Sequence, residues 1–216
     1  MTNSLNQKIK EIHLKYKNGE FPDLYFELVW THSDIVRQIA IRLADKLYKD
    51  KGIKINREIL EAGALLHDLG MYNCYDDELY INSNINPLMH GFVGGEIVRS
   101  EDLGEELARF CEVHIGTGLT QEDIKREKLD VEIKDYIPVT LEEELVTYAD
   151  KFHTKYPAFE SYEVTSVKIS KYDPNRRVKL DNFRKKYGVP NLEDLDQKYK
   201  NWSVDINLRI NKALGK

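Results

Sequence analysis

The chain has 216 residues, enough for one domain with a sizeable core, and its 41% hydrophobic and 32% charged content fit an ordinary water-soluble protein. No apolar stretch approaches the roughly 18 residues of a membrane span, and the start Met1-Thr2-Asn3-Ser4 has no signal-peptide pattern, so the expected location is the cytoplasm. The net charge of -5 hides a basic tail, with 15 Lys and Arg against 8 Asp and Glu in residues 151–216; this argues against a stable nucleic-acid complex and leaves a basic rim for an anionic small molecule.

Leu5, Ile9, Ile12 and Tyr16 fall at helical spacing and predict an amphipathic helix over residues 4–17. Glu20-Phe21-Pro22-Asp23 breaks it, and a short aromatic helix or loop follows to Trp30. Thr31 or Ser33 is the expected cap of a helix from His32 to Tyr48, with Ile35, Val36, Ile39, Ala40, Leu43, Ala44 and Leu47 on its apolar face and Lys51-Gly52 ending it. Asn56 caps the next helix, which ends at Ala64-Leu65-Leu66-His67-Asp68-Leu69-Gly70, where Gly70 is placed to close it in a left-handed conformation. Residues 71–87, rich in Asn, Asp and Tyr, read as a long surface loop. Tyr72, Tyr75 and Tyr80 in it are candidates either to stack on a base or to anchor the loop.

Helices follow over about 88–100 and 105–114, then a turn at Ile115-Gly116-Thr117-Gly118 and a short helix from Thr120. Thr140-Leu141-Glu142-Glu143 predicts a capping box and a helix carrying Asp150. Glu163 to Ser170 alternates weakly and is readable as strand or helix; helices over 175–187 and 192–214 end the chain. The expected fold is all-α, with an N-terminal extension over 1–29, a core over 30–155 and a C-terminal extension over 156–216 packed on it. Cys74 and Cys111 share no CxxC spacing and read as free thiols.

The polar residues that stand out are His32, His67-Asp68, His90, His114 and Asp150, separated by intervals of 35, 22, 24 and 36 residues. Each interval is about one helix and its connection, so each ligand comes from its own helix or helix end. Imidazole and carboxylate donors in this mix suit Fe, Mn, Ni or Zn, with Mg as a further option. Six ligands exceed what one hydrolytic ion needs, since such an ion keeps positions open. Two ions sharing Asp68 would use them all. His13 lies in the first helix outside this set and reads as an ordinary histidine.

In these blocks the sequence resembles the HD-domain superfamily of metal-dependent phosphohydrolases, over about residues 30–155. The match is closest to small prokaryotic members, whose later blocks read like His114-Ile115-Gly116-Thr117-Gly118 and Tyr148-Ala149-Asp150-Lys151-Phe152-His153-Thr154-Lys155. The resemblance implies an HD-like helical bundle in which His32, His67, Asp68 and Asp150 hold the first metal. It implies that His90 and His114 hold a second, with Asp68 bridging. The HD-GYP signature is absent, so cyclic-di-GMP hydrolysis is not expected.

The implied reaction is hydrolysis of a phosphate ester or anhydride, of a nucleotide or related small molecule, by metal-activated water. Asp68 is then catalytic as well as a ligand. His153, near Asp150, is a candidate general acid or supporting group. Lys151, Lys155, Thr117, Gly118, Arg176 and Arg177 are candidate substrate contacts, Arg for bidentate phosphate binding and Gly118 for a close backbone approach. The alternative is a mixed-valent di-iron oxygenase on the same ligands, acting on a small polar substrate.

Overall fold

Pro22 opens the longest helix of the molecule. Its fixed φ suits a first turn, where no amide hydrogen has a partner to lose. The computed structural model describes residues 2–74, 86–154, 157–213 and 215. Helix α1 spans Thr2–Tyr16, and α2 runs unbroken over Pro22–Lys51. The expected break near Trp30 does not occur. Tyr25, Leu28, Val29, His32, Val36, Ile39, Leu43 and Leu47 recur at three- and four-residue steps and are all buried, so one stripe drives one helix. Thr31 and Ser33 therefore lie inside the helix and cap nothing. Gly52, left-handed at φ 68°, ends α2 by donating its N–H to the Tyr48 carbonyl.

Asn56 accepts a hydrogen bond from the Ile59 N–H (3.3 Å) and starts α3, Arg57–Leu66. Leu60, Leu65 and Leu66 of α3 are buried, each contributing about 2 kcal/mol through the apolar surface removed from water. That burial carries the next two residues inward, and both His67 and Asp68 are 0% exposed. Gly70 does not close α3 in a left-handed conformation. It sits in a 3-10 turn, Leu69–Asn73, where a β-carbon would stand 2.0 Å from the His90 carbonyl oxygen and 2.5 Å from the Gly94 nitrogen. The glycine is there to let α4, Met89–Ser100, lie against the turn.

Helix α5 covers Glu105–Val113, α6 Gln121–Arg126 and α7 Leu141–Ala149. Both α6 and α7 begin in capping boxes, Thr120 with Asp123 and Thr140 with Glu143. A 3-10 turn, Asp150–Phe152, leads from α7 to a two-stranded antiparallel sheet, β1 (His153–Thr154) with β2 (Ala158–Phe159). The sequence held no clear strand signal there; each strand is only two residues long. The ambiguous stretch Glu163–Ser170 is helical, within α8 (Tyr162–Tyr172), whose cap Ser161 accepts from the Val164 N–H.

Helices α9 (Pro174–Tyr187) and α10 (Glu193–Ala213) follow. Leu180, Phe183 and Tyr187 of α9, with Leu195, Ile206 and Ile210 of α10, join the apolar core that holds Ile9 and Ile12 of α1 and the buried face of α2. Residues 75–85, with Tyr75 and Tyr80 among them, and Lys155 lie outside the described residues. No helix among the described residues is long and apolar enough to cross a membrane.

Candidate metal centre

The buried end of α3 presents Asp68 to four histidines from four elements, and its two oxygens face different pairs. Oδ2 lies 3.3 Å from His32 Nε2 on α2 and 3.6 Å from His67 Nε2. Oδ1 lies 3.3 Å from His90 Nε2 on α4 and 3.3 Å from His114 Nε2 just after α5. Asp150, at the end of α7, faces the first pair from the other side, its Oδ1 3.0 Å from His32 Nε2 and 3.5 Å from His67 Nε2. Two groups of donors result, His32-His67-Asp68 and Asp68-His90-His114, each with its atoms close enough to share an ion.

The second nitrogen of each imidazole shows what the first is for. Nδ1 of His67 donates to the Ala64 carbonyl (2.7 Å), that of His90 to Pro87 (2.5 Å) and that of His114 to Cys111 (2.7 Å). A neutral ring with its proton on Nδ1 turns an Nε2 lone pair inward. His90 and His114 thus bring two such lone pairs within 2.9 Å of each other. Lone pairs at that separation repel unless a proton or a cation lies between them, so the donor set fits divalent metals.

The electrostatics favour the neutral ring at His114 and His32 but not at His67. Burial pushes the His114 imidazole down to about 3, against an opposing hydrogen bond to Asp68. Burial also lowers His32, against the pull of Asp150 and Asp68. For His67 the burial cost is outweighed by Asp68 and Asp150, and its value is raised. Burial would raise the Asp150 carboxyl, but Lys151, His32 and His67 hold it well below the usual carboxylate range.

Of the other residues singled out from the sequence, Lys151 and His153 adjoin the centre. Lys151 Nζ donates to Asp150 Oδ2 (2.6 Å) and to the His114 carbonyl (3.2 Å), linking the two halves. His153 lies behind His32, with Nδ1 2.9 Å from His32 Nδ1 and the rings stacked at 29°. Its burial and the neighbouring His32 keep it well below the ordinary imidazole value, so it stays neutral. Thr117 is buried in the turn after His114. Gly118, at φ 91°, approaches its own chain: a β-carbon there would lie 2.9 Å from the Ile137 α-carbon, so its closeness serves packing.

Arg176 reaches the Gly116 turn, whereas Arg177 does not; its guanidinium is half-exposed, 3.9 Å from Asp181 on its own helix. Adjacent helical residues point about 100° apart, so only one of the two can face the site. Tyr72 is also away from any ligand space, 1% exposed with its hydroxyl on His13. It anchors the turn and is closed to base stacking.

His13 supports the centre from outside. It donates from Nε2 to the Leu65 carbonyl (2.8 Å) and accepts at Nδ1 from the Tyr72 hydroxyl (2.9 Å), tying α1 to both sides of His67-Asp68. The signal was hidden because one partner is a backbone atom. Burial pushes His13 down to about 4 from an ordinary 6.5. The unfolded chain therefore binds the proton first as pH falls, and stability is lost between about pH 6.5 and 4, by up to about 3 kcal/mol from this residue. Urea unfolding at stepped pH should show a steeper loss in the wild type than in His13→Gln; identical slopes would exclude His13 as the source.

Four buried histidines, the buried Asp68 and the partly buried Asp150 converge inside a helical bundle, and this defines a helical domain whose donors could hold divalent metal. Residues 29–155 match the HD domain family, and the chain belongs to that family. It is 38% identical over 135 residues to the uncharacterized protein MJ0778 of Methanocaldococcus jannaschii, covering 62% of this chain and 72% of that one. It is 33% identical over 124 residues to a tRNA (cytidine(56)-2'-O)-methyltransferase of Picrophilus torridus, covering 57% of this chain. The chain spans only 31% of that enzyme's length, and 36% of a similarly described protein of Thermoplasma volcanium, to which it is 29% identical over 159 residues. Among solved structures, the HD domain of the L. monocytogenes phosphodiesterase PgpH in complex with cyclic-di-AMP is similar at a TM-score of 0.49 and 19% identity, over 80% of this chain and 92% of that one.

Proposed function

We propose that the protein is a cytoplasmic, metal-dependent phosphohydrolase that cleaves a phosphate ester or anhydride of a nucleotide or related small molecule. The observation that carries this reading is the division of Asp68, each of whose oxygens faces its own pair of inward-turned imidazoles. In it, His32, His67, Asp68 and Asp150 would hold one ion, and Asp68, His90 and His114 would hold a second. When bound, such ions supply a water acidified to near neutrality and positive charge against phosphoryl oxygens.

The chain's own residues do the rest. Asp150, kept ionised, accepts from Lys151, whose charge keeps that carboxylate in place. His153 accepts at Nδ1 from His32, holding that ring with Nε2 inward. A neutral, buried His153 is a positioning residue in this scheme and donates no proton to the leaving group. Water gives up one proton to solvent and forms the new bond to phosphorus, the bond to the leaving oxygen breaks, and that oxygen takes a proton from solvent. No side-chain nucleophile is required.

The test is a panel of nucleotides and simple phosphate esters incubated with protein loaded with Mn, Fe, Ni, Zn or Mg in turn. Phosphate or monoester release that stops on chelation and consumes no oxygen is the expected result. Oxygen consumption by the iron-loaded protein without P–O cleavage would overturn it in favour of the di-iron oxygenase.

A further inference from the structure

One arginine from beyond the HD-matched span reaches back to the turn that follows His114. Arg176 is the third residue of α9, and its side chain is only 11% exposed. Its Nη1 lies 3.2 Å from where a Gly116 β-carbon would be, so the guanidinium rests on a bare stretch of backbone two residues past a candidate ligand. Gly116 holds φ 62°, and any side chain there would be both strained and in the path of Arg176.

The environment of that guanidinium is incomplete. A guanidinium carries five N–H donors. The Nε of Arg176 is buried and donates to nothing. Its ion-pair partner is Asp123 Oδ1 at 3.3 Å, an oxygen that Arg126 also engages. The other oxygen of Asp123 accepts from Thr120. One Asp123 oxygen thus serves two guanidinium groups; the half-exposed Arg126 has Glu127 as a second partner, at 3.2 Å, whereas Arg176 shares Asp123 and keeps an unmade donor. Beside it, Thr117 is 1% exposed with an Oγ1 that has no hydrogen-bond partner. Buried donors left unmade are costly, and two of them flanking one turn call for an acceptor that brings several oxygens at once.

We propose that Arg176, with Thr117, receives a phosphate oxyanion of the substrate, so that a helix outside the HD domain decides which phosphates reach the centre. This rests on the phosphohydrolase reading of the same site. A planar fork matches a tetrahedral oxyanion through two parallel hydrogen bonds, which a lysine cannot reproduce. A tie between α9 and α6 alone would leave Thr117 unexplained.

The experiment titrates inorganic phosphate into the metal-loaded full chain by calorimetry, with metal content and melting temperature recorded for each variant. Arg176→Gln is expected to weaken phosphate binding at least about tenfold with metal content unchanged. Arg176→Lys, which keeps the charge and fills the space, is expected to recover binding only in part, and Thr117→Val to weaken it less than Arg176→Gln. Lys185→Gln, which removes one exposed charge from the same helix, should leave affinity as it was. Phosphate affinity unchanged in both Arg176 variants, or no phosphate binding to the wild type, overturns the proposal. A loss of melting temperature with unchanged phosphate affinity does so too, by showing that the arginine only ties helices together. If the wild type hydrolyses no phosphate compound yet binds phosphate through Arg176, the oxyanion site stands and the hydrolase reading falls.

Discussion

Asp68→Ala is expected to empty both halves of the centre at once. Among the described residues no other side chain faces both histidine pairs, since Asp150 meets only His32 and His67. Without the carboxylate, His90 and His114 present lone pairs to each other with no anion to balance a cation between them. Removing a group that merely supports a metal ligand costs about 10–100-fold in affinity or activity. Loss of a ligand shared by two ions should exceed that, with activity at background and bound metal near zero by elemental analysis. Asp68→Asn keeps the shape and removes the charge, and it should retain the melting profile of the metal-free wild type while still failing to bind. A metal-loaded, fully active Asp68→Ala protein would refute the assignment.

Gly70→Ala should be the most damaging single-methyl change in the fold. The added carbon would meet the His90 carbonyl oxygen at 2.0 Å, the Gly94 nitrogen at 2.5 Å and the His90 carbonyl carbon at 3.0 Å, all backbone atoms of one helix. None can rotate away, so α4 must withdraw and take His90 with it. Overpacking of this kind costs about 3 kcal/mol or more, which for a chain of this size lowers the melting temperature by roughly 6–12 °C. Metal binding on the His90-His114 side should fall as well. Gly52→Ala provides the comparison: nothing lies within 4 Å of its added carbon, and only its positive φ opposes the change, at about 1 kcal/mol. A Gly70→Ala protein as stable and as metal-replete as Gly52→Ala would contradict the packing account.

The contrast between these two glycines marks where the sequence was legible. Gly52 follows a helical run and lies before a turn, and its left-handed closure of α2 is local chemistry. Gly70 looked the same from its neighbours, yet its role comes from a helix that begins almost twenty residues later. The histidines and Asp150 could be read because each sits about one helix from the next, and chain spacing alone sets how many elements can converge. Which oxygen of Asp68 faces which pair is a matter of packing angle, and no spacing encodes it. Arg176 and Arg177 were indistinguishable in sequence for the same reason, since the rotation of α9 on its neighbours selects between them. His13 was passed over because it speaks to a carbonyl. The division of α2 near Trp30 was expected because Thr31 and Ser33 resemble caps, but the buried stripe from Tyr25 through His32 to Leu47 outweighs them.

The candidate ligands are spread along the chain, on α2, at the ends of α3 and α7, on α4 and just after α5. A cation held among them is therefore a cross-link in the topological sense, closing several long loops with one set of bonds. Loops of that length carry a large share of an unfolded chain's entropy. Whatever binds there favours the folded state in proportion to the logarithm of its concentration over its dissociation constant. Metal supply and fold stability would in this way be one variable, and the candidate metal centre would double as the clasp of the bundle.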